Sequence, residues 1–169
     1  MNRIQIIDGD ITQQRVDAIV NAANNTMCGG GGVDGTIHRA AGPELLAECR
    51  AVGGCKTGAA KITGGYQLPA KHIFHTVGPV WYGGDRGEPE MLASCYRESL
   101  KLALENQIKT IAFPAISCGA YRYPIDKACA IAISEVNTFL LEHEQIEQVI
   151  FVCFDKKVKA QLNKCLHGS

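Results

Sequence analysis

Short apolar runs rich in β-branched residues alternate with amphipathic segments along the whole chain, and this alternation restricts the fold more than any other feature. The runs are residues 4–7 (IQII), 18–20 (AIV), 60–63 (AKIT), 72–77 (HIFHTV), 110–116 (TIAFPAI) and 149–154 (VIFVCF). Each reads as a short strand buried on both faces. Between several of them the apolar residues recur at helical spacing. Residues 43–52 open with Pro43 at a helix start and place Leu45, Leu46, Cys49 and Val52 along one side. Residues 90–105 carry Leu92, Tyr96, Leu100 and Ala103 in the same way. A later helix has Ala128, Ile131, Ala132, Val136, Phe139 and Leu140 on one stripe, and a last one, from Asp155, has Val158, Leu162, Cys165 and Leu166. Doubly buried strands that alternate with amphipathic helices predict an α/β fold, a three-layer α/β/α sandwich around a mixed, largely parallel sheet. Ligands of such sheets bind outside the carboxyl ends of the strands. The informative loops are therefore residues 21–34, residues 117–124, and Phe154 with Asp155.

The first of these loops holds four consecutive glycines, Gly29 to Gly32. Such a run costs backbone entropy on folding unless the main chain must do something other residues cannot. Successive N–H groups leading into a helix form an anion cradle, and the stretch GTIHRAA that follows reads as that helix. A flexible surface loop is the plainer alternative. No GxxxxGK[ST] is present, which argues against a P-loop hydrolase. Gly30, Gly32 and Gly35 satisfy GxGxxG, but eight residues separate them from the strand and no acidic residue sits at the ribose-binding spacing. The second loop, SCGAYRYP, carries the small residues Ser117, Cys118, Gly119 and Ala120, with Tyr121 and Tyr123 as aromatic surface. Two such loops at one sheet edge are suited to clamp a diphosphate.

The 169 residues suffice for one domain with a sizeable core, and 17 basic residues offset 17 acidic ones. That balance argues against extended nucleic-acid binding. The start, MNRIQIIDGD, lacks the apolar core of a signal peptide, and no apolar run reaches membrane-spanning length. The eight cysteines show no CxxC or zinc-finger spacing. Most read as reduced, small apolar residues of a cytoplasmic protein, with disulfides left open by the even count. No cofactor and no metal site is expected.

Read in order, GDIT (9–12), IVNAANNTMCGGGGVDGTIHRAAG (19–42), KTGAAKITGGYQLPAKHIFHTVGP (56–79), AFPAISCGAYRYP (112–124) and FVCFD (151–155) resemble the macrodomain family, in particular its bacterial ADP-ribosyl hydrolases. The resemblance spans essentially the whole chain, 1–169, as one macrodomain. It implies an α/β/α sandwich that binds ADP-ribose. Asp10 matches the aspartate that accepts from the adenine amino group, with Ile11 as a neighbouring backbone contact. Asn24 matches the asparagine on the distal ribose, and Asp34 the catalytic aspartate. Gly31, Gly32 and Val33 fall in the first phosphate loop. Ser117, Cys118, Gly119, Ala120 and Tyr121 fall in the second, with Tyr121 beside the distal ribose. Phe154 matches an aromatic stacked on adenine.

Each position has a plainer role. Asp10 reads as a cap for a short helix, Asn24 as a turn residue, Asp34 and Asp155 as helix N-caps, and His38 as filling space or orienting Asp34. The chain departs from the STGVYG pattern of relatives at Cys118 and Arg122, and backbone N–H groups near Cys118 are expected to lower its pKa and make it oxidation-sensitive.

The resemblance implies hydrolysis of esters at the distal ribose: O-acetyl-ADP-ribose, and ADP-ribose carried on Asp or Glu of proteins. Asn24 would orient the ribose. Asp34 would position or activate a water. The partners are ADP-ribose, its esters and modified proteins, the chain being a monomer with no membrane or nucleic-acid partner. A non-catalytic ADP-ribose-binding module and an ADP-ribose 1″-phosphate phosphatase are the competing readings.

Overall fold

The computed structural model describes residues 3–168. Six strands, β1 (Ile4–Asp8), β2 (Ala18–Ala22), β3 (Ala60–Gly64), β4 (His72–Thr76), β5 (Thr110–Phe113) and β6 (Gln148–Cys153), form a sheet of order β1-β6-β5-β2-β4-β3. All neighbours are parallel except β3, which returns antiparallel to β4 at the edge. Five helices cover it: α1 (Gly32–Ala41), α2 (Pro43–Val52), α3 (Glu88–Glu105), α4 (Ile125–Glu142) and α5 (Lys156–His167).

The strand period of two separates the layers. Ala18 and Val20 of β2, Ile111 and Phe113 of β5, and Val149, Phe151 and Cys153 of β6 pack under α3, α4 and α5. Their neighbours Ile19, Ala112, Ile150 and Val152 pack under α1 and α2. Side chains buried on both faces explain why these strands read as continuous apolar runs rather than as alternation. The result is the expected α/β/α sandwich.

Helix α2 begins with Pro43 in its first turn and stops at Gly53 in the left-handed region. Asp155 caps α5 by accepting from the Lys157 N–H at 2.8 Å, as expected. Three boundaries depart from the sequence reading. Strand β2 runs two residues further, so Asn21 is a strand residue in register with His75 and not part of the loop. Strand β5 stops at Phe113, because Pro114 has no N–H to continue the ladder. Helix α1 begins at Gly32, so the last glycine already lies inside it.

Candidate functional site

The carboxyl ends of β1, β6, β5 and β2 open onto one cavity of about 710 Å³. Its wall includes Asp10 and Ile11 from the β1 loop, Asn24 and Gly31 to Asp34 from the glycine loop, Ser117 to Tyr121 from the second loop, and Phe154. All residues singled out in the sequence therefore line one space, sized for a ligand of several linked groups.

Asp34 is the third residue of α1, and the N-cap is Gly31. The cap role considered for Asp34 is thus wrong. Its side chain is aimed elsewhere: Asn21 Nδ2 donates to Asp34 Oδ1 at 2.9 Å, with Asn21 fully buried and Asp34 nearly so. The same amide nitrogen lies 3.1 Å from His75 Nδ1. An amide nitrogen only donates, so His75 Nδ1 accepts and its proton sits on Nε2. Nε2 lies 2.9 Å from Thr63 Oγ1, whose hydroxyl passes a bond to the Gly64 carbonyl at 3.2 Å. Burial, with His38 nearby, pushes the His75 pKa down to about 3, so the ring is neutral. A chain of polar groups across β3, β4 and β2 thus fixes the Asp34 carboxyl. His38 Nε2 stands 3.5 Å from the same Oδ1 but makes no hydrogen bond there. The direct orienting donor is Asn21.

Asn24 does serve as a turn residue. Its Oδ1 accepts from Met27 N at 3.1 Å and Thr26 Oγ1 at 2.8 Å, and its Nδ2 donates to Gly29 O at 3.0 Å. The amide thus folds the glycine loop on itself. A Cβ at Gly30 would lie 3.2 Å from Asp34 Oδ2 and 3.4 Å from Asn24 Nδ2. The two side chains assigned to ribose and water therefore meet over a residue that must lack one. Gly32 adopts φ +60°, and a Cβ there would meet no protein atom. The conformation needs glycine and the open space is the cavity.

The second loop is held from behind. Tyr96 OH accepts from Ile116 N at 3.3 Å, and Ser117 Oγ donates to Pro79 O at 2.8 Å. The Ser117 hydroxyl is thereby occupied, which leaves main-chain groups to face a ligand. Trp81 N donates to Tyr121 O at 2.9 Å and joins the loop to residues 80–87. Glu88 organises that segment: its carboxylate accepts from the N–H groups of Tyr82, Gly84 and Arg86 at 2.7–3.0 Å. Burial opposes its charge, but these donors outweigh burial and hold its pKa down to about 2. Asn21, His75, Tyr96 and Glu88 escaped the sequence reading, since each sits in an element whose pattern marks it only as core or loop.

At the other end, Asp10 caps a 3₁₀ turn (Ile11–Gln13), its Oδ1 accepting from Thr12 N at 2.9 Å and Thr12 Oγ1 at 2.6 Å. The side chain is exposed, not buried as an adenine contact would suggest, because the base that would cover it is the ligand's. Phe154 is 85% exposed at the cavity rim, with no protein ring against it. An aromatic face left in solvent beside a cavity is available for stacking. Among the described residues no helix is long and apolar enough to cross a membrane.

The model of the family described as "Macro domain" matches residues 20–132. A Macro domain-containing protein of Methanosarcina mazei is 61% identical over 98% of this chain and 89% of its own length. The O-acetyl-ADP-ribose deacetylase of Klebsiella pneumoniae is 52% identical over 96% of this chain and 95% of its own. Among solved structures, the Trypanosoma brucei macrodomain in complex with ADP-ribose superposes with a TM-score of 0.92 at 46% identity, covering 97% of this chain and 69% of that one.

Proposed function

Because this chain belongs to the Macro domain family, we propose that it is an ADP-ribose-binding hydrolase that cleaves esters at the distal ribose. The observation that carries the reading is the Asp34 carboxyl, oriented by a buried donor and set beside Asn24 on the wall of the 710 Å³ cavity. A pocket that only bound a diphosphate would have no use for a positioned carboxyl next to its anion cradle. The similarity to an O-acetyl-ADP-ribose deacetylase and to a macrodomain that holds ADP-ribose supports the same ligand and bond.

The roles follow from the geometry. Phe154 stacks on adenine and Asp10 accepts from its amino group. Main-chain donors of Gly31 to Val33 and of Ser117 to Ala120 hold the diphosphate. Asn24 and Tyr121 orient the distal ribose. Asp34 Oδ1 is occupied by Asn21, so Oδ2, on the Gly30 side, takes the proton of the attacking water. Water adds to the ester carbonyl, the C–O bond to ribose breaks, and the proton passes to the leaving ribose oxygen. Acetate and an aspartyl or glutamyl carboxylate leave by the same chemistry, so O-acetyl-ADP-ribose and mono-ADP-ribosylated proteins are both substrates. The chain acts as one macrodomain, monomeric and cytoplasmic.

The test follows release of acetate and ADP-ribose from both ester classes. In Asp34→Ala, turnover falls on the order of 100-fold, the size of a lost acid–base group, while ADP-ribose affinity changes far less. Equal losses in rate and affinity would reduce Asp34 to a loop-shaping role and favour the binding-module reading.

A further inference from the structure

One nucleophilic group faces the cavity without a part in this mechanism. Cys118 is half-buried in the second loop and contributes to the cavity wall. Behind it, Cys129 lies 1% exposed on α4, in the same apolar cluster, and its thiol is the hydrogen-bond donor to the Cys118 sulfur. The segment between them turns through two non-glycine residues with positive φ, Ser117 at +67° before it and Arg122 at +62° within it. One sulfur thus sits on a constrained loop against the ligand and the other on a packed helix.

We propose that Cys118 is a peroxide-oxidised modification site, resolved by Cys129 into a disulfide that pulls the second phosphate loop out of its binding geometry. The chemistry balances without another reductant. The Cys118 thiolate attacks a peroxide oxygen, the O–O bond breaks, and sulfenic acid forms as the peroxide is reduced to water. The Cys129 sulfur then attacks the sulfenic sulfur, the S–O bond breaks, and hydroxide leaves with the Cys129 proton as a second water. Two thiols and one hydrogen peroxide give one disulfide and two waters.

Electrostatics agrees with this division of labour. The Cys129 S–H bond lowers the Cys118 pKa against the opposing effects of burial and of Asp155. The cause is a neighbouring thiol, not the loop's own N–H groups as the sequence suggested. Cys129 is correspondingly held protonated. Cys153, which also lines the cavity, is pushed up to about 11 by burial and stays an inert thiol. Closing a thiol–thiol hydrogen bond to a covalent length of about 2.05 Å draws the Cys118 sulfur toward α4. Its main chain, flanked by Gly119, must follow, and the diphosphate donors move with it.

The thiol chemistry is read by mass and is independent of ligand; only the affinity arm rests on the ADP-ribose reading. The full chain carrying Cys28→Ser, which removes an exposed thiol, is treated with hydrogen peroxide with and without ADP-ribose, alkylated, digested unreduced and analysed by mass spectrometry. A Cys118–Cys129 cross-link is expected, suppressed by bound ADP-ribose and reversed by dithiothreitol. The oxidised protein binds ADP-ribose at least about tenfold more weakly, the size of one lost hydrogen bond to a charged group. In Cys129→Ala the cross-link is absent and Cys118 is instead captured by a sulfenic-acid reagent. Cys118 left intact while other thiols oxidise, or linked to Cys153, overturns the assignment. So does a cross-linked protein that binds as tightly as the reduced one. Reduced protein that fails to bind ADP-ribose would refute the functional reading, with the cross-link still deciding the site.

Discussion

Replacing Asn21 by leucine keeps the side-chain size and removes both donors from the buried chain that ends on Asp34. The bond to the carboxylate is 2.9 Å long and the one to His75 is 3.1 Å, in a fully buried setting. Hydrogen bonds to charged groups contribute about 1.5–3 kcal/mol and neutral ones about 0.5–1.5. Asn21 Oδ1 is buried without a partner, so its removal returns part of that loss. A net destabilisation of about 1–3 kcal/mol follows, and at about 2–4 °C per kcal/mol for a chain of this length Tm falls by several degrees. The larger effect is on chemistry. With Oδ1 unheld, the carboxyl rotates away from the water it must meet, and such misplacement costs on the order of 10- to 100-fold in rate. Thermal melts, ester turnover and ADP-ribose titration on the same preparation separate the effects. Folded Asn21→Leu with wild-type turnover would show that Asp34 needs no support from the strand, and the reasoning from the buried chain would fail.

Gly32→Val should leave a folded protein, destabilised by about 1–2 kcal/mol from a left-handed backbone, yet abolish ADP-ribose binding measured by calorimetry, since its side chain enters the cavity. Inosine diphosphate ribose should bind about three- to tenfold more weakly than ADP-ribose, because a carbonyl replaces the amino donor at Asp10 and the exposed carboxylate retains some solvent; Asp10→Ala should erase the preference, and equal affinities in the wild-type protein would return Asp10 to its capping role alone. Acid sensitivity should trace to His75. Its folded pKa near 3 lies below the unfolded value of about 6.5, so the unfolded chain binds the proton first. Stability is then full above pH 6.5 and falls by up to about 1.4 kcal/mol per unit as pH drops toward 3; urea midpoints at pH 7, 6 and 5 should fall less steeply in His75→Gln.

The layers were legible because strands such as VIFVCF are buried on both faces and cannot be mistaken for amphipathic hairpins. The cavity wall was legible because Gly29 to Gly32 have no reason to sit together unless backbone is the functional surface. Strand β2 read short, because Asn21 is polar and ended the apolar run, although its amide is fully satisfied on the nitrogen side by Asp34 and His75. That partnership joins residues 13 and 54 positions apart, which no local pattern records. Glu88 was equally hidden: its three donors come from a loop whose course depends on the carboxylate itself. The Cys118–Cys129 pair was half visible, the spacing placing both near α4 but not facing each other.

The empty Cβ position of Gly30, shared at 3.2 and 3.4 Å by Asp34 Oδ2 and Asn24 Nδ2, has an evolutionary corollary. Three residues occupy one volume, so their substitution effects are epistatic. Once a side chain at position 30 has displaced the carboxyl and the amide, replacing either of them adds little further loss, and a double-mutant cycle across Asn24 and Asp34 collapses in that background. Drift in this loop therefore has no gradual route to a new activity: a lineage either keeps all three residues or gives up the reaction in one step while the fold, and a cavity that still binds, persist.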